Sequence, residues 1–527
     1  MRRRDRAADG SVRMMCVRTR CVRTRCPLTP VARTALVRRA ASARPTAVRT
    51  AVVRTLLAAL LLLSAACGSR LPERDFEHRG SRAEQERGGG RGPDGTARGE
   101  PVRIGIITSA TSPVGGGAFS GPRDGARAFF KALNEKGGIA GRRPVEVVTC
   151  DDGGSGVGNQ ECVQRLVEED EVFALVATSS LDYAGAPQVS KAGVPDVGGQ
   201  PIGAAYDTYP HLYGVYGSQA PREGKPGWGG ELYGGTEVYR YFKRERGART
   251  AAVVSYNQAA SAAYARLLVR GLKAEGYRVV SEQLDFALPN FSAAAADLRA
   301  RDVDLVFDAM DTHGNAQLCK ALDAAGVRLT AKVTNVQNWS DSVPADYKGA
   351  PACRNALWVT GASRNYDETG HPAVREFRAG MRGNPGSGNL SQWQLEGWAA
   401  AMWFTDAATS CVKGGTDRMA GTGGTDRTDG TDSTDRTDGT AGPDVGGGRL
   451  TRGCVERFLQ RQEPYTARGL LLPVSYERRA EPPKTRRSCL SVARWQDRAR
   501  RGQGGWVTQG GDMARNCFMV PQLPYRP

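Results

Sequence analysis

The stretch VRIGIITSATSPVGGGAFSGPRDGARAFFKALNEKGGIAGRRPVEVVTC, residues 102–150, decides the fold. It opens on VRIGIIT (102–108), an apolar β-branched run without the alternation of a strand that faces water on one side. A loop rich in Gly, Ser and Pro follows, then a helix from about Gly121 whose apolar stripe holds Ala126, Phe129, Phe130 and Leu133. Gly137 and Gly138 stop that helix, and VEVVTC (145–150) is a second continuous strand. A continuous strand, a helix and another continuous strand make a unit of parallel sheet buried on both faces.

The same texture continues outward. VFALVATSS (172–180) leads into a helix and then GVPDVGG (193–199). After a break rich in Gly, Pro and Tyr at 201–235, the alternation restarts. TAAVVSY (250–256), a helix over 261–275, YRVVSEQLDF (277–286), a helix over 291–301, DLVFDAM (304–310), a helix over 314–325 and AKVTNVQNW (331–339) form a second series. Two such series predict an α/β protein of two doubly wound parallel-sheet lobes joined by a hinge. Ligands in open α/β sheets bind beyond the carboxyl ends of strands. The loops at 108–120, 178–183, 198–206, 256–260, 310–315 and 336–340 are therefore expected to converge on one cleft. Helices over 371–382 and 390–409 and strands near 489–495 and 505–508 follow.

Before Val102 the chain reads as processing information. Thr55 to Ala66 is an uncharged run of twelve residues, too short for a bilayer-spanning helix of about twenty residues. Arginines precede it and Ser64-Ala65-Ala66-Cys67 closes it, the order of a secretory signal peptide. SAAC resembles a bacterial lipobox, which makes Cys67 the expected lipid anchor; cleavage at the same small residues into a soluble secreted product is the alternative. Residues 1–54 are longer than an ordinary leader start, so translation is expected to begin downstream, at Met14, Met15 or a start near Val48. The expected organisation is a leader at 1–66, a disordered tether at 67–100, the first part of lobe I at 101–220, lobe II at 221–360, and a return to lobe I with hinge-crossing segments at 361–527. Within that last part, 414–448 is an insertion: TDRTDGTDSTDRTDGT has no apolar residue to bury and lacks the ligand pattern of a calcium loop.

The leader also changes the meaning of the charge. The chain is formally +18, but residues 1–66 hold 15 arginines against Asp5 and Asp9, so +5 remains without them. Nucleic acid is thereby excluded as an expected partner, and the residual basic field lies at the C-terminal end. Beyond Cys67, eight cysteines remain: Cys150, Cys162, Cys319, Cys353, Cys411, Cys454, Cys489 and Cys517. An even number in an exported chain reads as up to four disulfides, with sequential pairing the simplest arrangement. No cysteine or histidine spacing suits zinc, and no metal or cofactor is expected.

RIGIITSATSPVG, NEKGGIAGR, the DD after the second strand and GVP sit in an order and spacing that resembles the solute-binding proteins of branched-chain amino-acid ABC transporters, the type I periplasmic-binding-protein family. The likeness runs from about 101 to 365 and continues more weakly to the end. It implies a small-molecule ligand closed between two lobes, an ABC transporter permease as partner, an extracytoplasmic location on a lipid anchor, and a monomer. By the resemblance, Ser179 and Ser180 hold the ligand carboxylate, chemistry that hydroxyls and N–H groups at a helix N-terminus supply. Asp311 or Asp308 carries the acid of the second lobe. Ala260 and Gln200 stand where the family has a tyrosine and a small or hydroxyl residue, so the ligand is an amino acid or related polar compound rather than necessarily a branched-chain one. Tyr256 and Trp339, at strand ends, are the candidate aromatic cover. His313 reads as a solvated loop residue. A ligand-sensing receptor module of the same fold is the alternative function. An enzyme is not expected, because no G-x-S-x-G, H-E-x-x-H or Walker A sequence sits in a supporting context.

Overall fold

Val102, Ile104, Ile106 and Ile107 are all at most 3% exposed in β1 (Val102–Thr108), so side chains on both faces of the strand are covered. The computed structural model describes residues 99–113, 115–413 and 450–527. The leader, Cys67, nearly all of the tether and the insertion lie outside the described residues.

Around β1, the strands β2 (Val145–Asp151), β3 (Ala174–Val176), β4 (Asp196–Gly199) and β5 (Leu212–Gly214) form a parallel sheet in the order β2-β1-β3-β4-β5. After β6 (Leu232–Gly235) come β7 (Thr250–Tyr256), β8 (Arg278–Leu284), β9 (Leu305–Ala309), β10 (Ala331–Thr334) and β11 (Leu357–Gly361). These five are mutually parallel. The late strands β12 (Thr485–Cys489), β13 (Ser491–Gln496), β14 (Gly505–Gln509) and β15 (Cys517–Tyr525) run antiparallel to their partners. The second sheet has the order β14-β13-β11-β10-β9-β7-β8, so the strands expected near 489–495 and 505–508 extend lobe II. A third sheet, β12-β15-β6, ties the end of the chain to the segment between the lobes.

The chain changes lobe after β5, after β11 and before β13. Between the last two crossings, helix Gln392–Val412 packs on helix Gly116–Glu135 in lobe I. Small residues set that approach: a Cβ on Gly125 would lie 1.9 Å from the Gln394 carbonyl oxygen, and one on Gly397 would lie 2.0 Å from that of Pro122. Phe119 meets Trp393 edge-on at 5.3 Å and Phe129 meets Trp398 at 5.0 Å, filling the space beside the crossing. Four disulfides close neighbouring cysteines: Cys150–Cys162, Cys319–Cys353, Cys411–Cys454 and Cys489–Cys517. No helix among the described residues is long and apolar enough to cross a membrane.

Candidate ligand-binding cleft

The loops that leave β1, β9 and β10 at their carboxyl ends face one another across a cavity of about 610 Å³. Three of the six loops expected to converge, 108–120, 310–315 and 336–340, thus wall the same space. Lobe I contributes Pro113, Gly115, Gly116, Gly117, Ser120 and Asp124. Lobe II contributes Asp311, Thr312, His313, Gln317, Lys320, Gln337, Ser340 and Ser342, and Ser391 and Trp393 close the side.

Local sequence aims helix starts at this cavity. Helix Gly116–Glu135 begins after Gly115, whose φ of 67° suits glycine, and no side chain caps it. A Cβ on Gly117 would meet nothing within 4 Å, so the backbone there borders open space. Opposite it, Asp311 caps helix Thr312–Ala324, its Oδ1 accepting from the Gly314 N–H at 2.8 Å. Helix Gln392–Val412 starts from the Ser391–Gln394 capping box. Three helix N-termini therefore border the cavity; Asp311 and the Ser391 box occupy two of them, and the uncapped start of helix Gly116–Glu135 leaves backbone N–H groups for an anionic group. Asp124, Asp311 and Asp346 stand against Lys320 among the ionisable wall residues, with His313 beside them. The arrangement suits a small solute that carries an anion and at least one donor group. Pro113, Ala118, Ala316, Val336 and Trp393 add an apolar share of the wall beside these polar groups.

The residues singled out from the sequence fall in different places. Asp311 lines the cavity. Tyr256 lies behind it, 6% exposed. Its hydroxyl bonds Asp311, and burial together with the Asp311 charge pushes it up to about 12. Its ring meets Phe286 edge-on at 5.2 Å. Ser179 and Ser180 are buried, and their hydroxyls are committed within lobe I: Ser179 donates to the Phe119 carbonyl at 2.7 Å and Ser180 to Asp152 Oδ2 at 2.5 Å. Asp152 also accepts from Ser109 at 2.6 Å and Asn159 at 3.0 Å, so these groups hold the loops after β1, β2 and β3 together. Gln200 Nε2 donates to Glu396 Oε2 at 2.9 Å. Trp339 is fully buried, its indole N–H donating to Asn365 Oδ1 at 3.2 Å. Those five do not border this cavity.

The sequence did not single out Gln337, Lys320, Asp124 or the glycines at 115–117 as wall residues; His313, expected as a solvated loop residue, is exposed and stands in the first turn of helix Thr312–Ala324 at the cavity wall. The run Gly115-Gly116-Gly117 at a helix start was the available signal. Among the described residues no cluster of His, Cys, Asp and Glu is arranged to hold a metal ion.

A family model described as periplasmic binding protein matches residues 101–444. Among solved structures, the fatty acid ABC transporter substrate-binding protein of Thermomonospora curvata aligns with a TM-score of 0.55 at 16% identity, covering 82% of this chain and 99% of its own. The branched-chain amino acid transporter substrate-binding protein LivJ of Streptococcus pneumoniae, in complex with isoleucine, gives 0.52 at 14%, covering 77% and 99%. A solute-binding protein of an ABC transporter from R. palustris, in complex with benzoate, gives 0.52 at 13%, covering 80% and 97%. At such identities the likeness establishes the fold. No curated protein sequence matches the chain.

Proposed function

The chain belongs to the periplasmic binding protein family, and from that premise we propose that it captures a small polar solute, an amino acid or related compound, between its lobes for an ABC importer. The observation that carries this reading is the 610 Å³ cavity walled by loops of both lobes and bordered by three helix N-termini. A solute bound there touches both lobes at once and favours the closed arrangement, which is how a binding protein presents a loaded state. The run ending in Ser64-Ala65-Ala66-Cys67 supports export and an acyl anchor on Cys67, placing the protein on the outer face of the plasma membrane.

A thermal-shift screen of the oxidised protein against amino acids, amides, short peptides and sugars tests the proposal. Binding to the folded form alone raises stability by about 2.7 kcal/mol at a hundredfold excess over Kd. Saturable stabilisation by one polar class, weakened by changes at Asp311 or Gln337, is the expected result. No shift with any polar class would sink it.

A further inference from the structure

Two charged side chains lie in the buried strands beneath the cleft, where charge is almost never left unless it is paired. Lys332 stands on β10 and Asp308 on β9. The register pairs Lys332 with Val306, so Asp308, two residues further along β9, points from the same face of the sheet. Helix Thr312–Ala324 covers that face and brings Asn315 onto both. The Lys332 and Asp308 side chains are 0% exposed, and so is Asn315.

The three groups are bonded in a closed triangle. Lys332 Nζ donates to Asp308 Oδ2 at 2.8 Å and also to Asn315 Oδ1. Asn315 Nδ2 donates to Asp308 Oδ1 at 2.7 Å, and the Met310 and Asp311 carbonyls accept from the same nitrogen at 3.3 and 3.2 Å. The amide is thereby fixed with its oxygen against the amine and its nitrogen against the carboxyl. An ion pair needs only Lys332 and Asp308. The third member adds an electrophilic carbon, one bond beyond the oxygen that Nζ already touches. The fully buried Tyr347 lies near enough to feel the Asp308 charge, so the surroundings are core and not solvent. Nucleophile, acyl carbon and proton carrier are in place, and burial excludes the water that would compete.

We infer that Lys332 and Asn315 join spontaneously in a covalent isopeptide bond, with Asp308 as the catalytic residue. Lys332 first gives one ammonium proton to Asp308, because only the free amine attacks. Nζ then bonds to Asn315 Cγ. A second Nζ proton passes through Asp308 to Nδ2, the Cγ–Nδ2 bond breaks, and ammonia leaves. The product is a secondary amide that keeps one N–H, and Asp308 retains the proton it took first. No oxidant, reductant or cofactor enters the balance. The bond ties β10 to the helix whose first turns wall the cleft, and the Cys319–Cys353 disulfide fastens the same helix one turn further on. The inference does not rest on the ligand proposed for that cleft.

The test is peptide mapping by mass spectrometry of the oxidised full chain, denatured, reduced and then digested with trypsin. Expected is a branched species in which the peptides holding Asn315 and Lys332 stay joined after reduction, lighter by one ammonia than the two together. Asp308→Asn keeps the shape of the side chain and removes the proton carrier, so its map should show the two peptides separate. Separate peptides from the wild type, or ammonia lost from Asn315 without a joined species, overturn the assignment. The wild-type map decides this whether or not the variant folds. A D308N chain joined as fully as the wild type overturns the role of Asp308. Variants without Lys332 cannot form the bond, so compared among themselves they report the charge pair alone.

Discussion

Glu396 Oε2 accepts a hydrogen bond from Gln200 Nε2 at 2.9 Å, joining the loop after β4 to the long helix Gln392–Val412. The other oxygen accepts from Ser363 at 2.5 Å and from Tyr216 at 2.9 Å, residues that follow β11 and β5 where the chain changes lobe. One buried carboxyl thus gathers two of the three hinge segments. Burial outweighs these three donors and pushes Glu396 up to about 7.

Because its folded pKa lies above its unfolded value of about 4.5, Glu396 keeps its proton longer in the folded state. Its contribution is complete below the unfolded pKa and is lost as pH rises toward 7, roughly 3 kcal/mol in all. Asp196, pushed up to about 6 by burial among Tyr183, Tyr206 and Thr178, acts in the same direction. Melting temperature should therefore fall between pH 5 and pH 7, and Glu396→Gln should remove part of that slope. An unchanged slope in the variant would mean that Glu396 is ionised throughout.

The contact of helix Gly116–Glu135 with helix Gln392–Val412 should be intolerant of one methyl group. Gly125→Ala drives Cβ against the Gln394 carbonyl at 1.9 Å, and backbone cannot swing aside as a side chain can. A loss of about 3 kcal/mol is expected in chemical denaturation. Gly453→Ala is the control, since the added Cβ there would meet only Arg457 Nη1, at 3.9 Å. It should stabilise its helix by about 0.5–1 kcal/mol.

These two positions also mark the limit of what was legible in the sequence. Strands such as β1 and β7 announced themselves because a parallel strand buried on both faces carries apolar residues in runs, without strict alternation. β11 passed unmarked: five residues, Leu357–Gly361, follow the short helix Pro351–Asn355 with no turn signal between. Ser179 and Ser180 sat in the expected loop, but which way a hydroxyl bonds depends on Asp152, 28 residues from Ser180 along the chain, and spacing carries no trace of that. Trp339 ends a strand-like run, and its burial depends on Asn365 and Trp506, which belong to later segments. The cleft loops were readable because topology places them; their wall residues were not, because orientation is a tertiary property.

Beneath the cleft, Lys332 Nζ lies 2.8 Å from Asp308 Oδ2, with both side chains 0% exposed. Asn315 bonds both partners, donating to Asp308 Oδ1 at 2.7 Å and accepting from Lys332. Lys332→Met strands Asp308 in the sheet and should cost about 3–5 kcal/mol. Replacing both, as K332M/D308L, removes the uncompensated charge and should recover most of that loss. A double variant no more stable than K332M would show that the lysine matters for something other than neutralising Asp308.

Asp311 combines two tasks that one pair of substitutions separates. Its Oδ1 caps helix Thr312–Ala324 through the Gly314 N–H at 2.8 Å, and its charge faces the cavity. Asparagine caps a helix about as well as aspartate, so Asp311→Asn should melt within about 0.5 kcal/mol of the wild type, whereas Asp311→Ala should lose about 1 kcal/mol. If a solute ammonium or other donor rests on the carboxylate, both variants weaken binding by about tenfold or more, a loss of about 1.4 kcal/mol. Calorimetry on the two proteins reads the difference directly. Binding lost in the alanine variant and kept in the asparagine variant would place Asp311 behind the site, as the cap that holds Gln317 and Lys320 in position, and would hand recognition to those two side chains and Gln337.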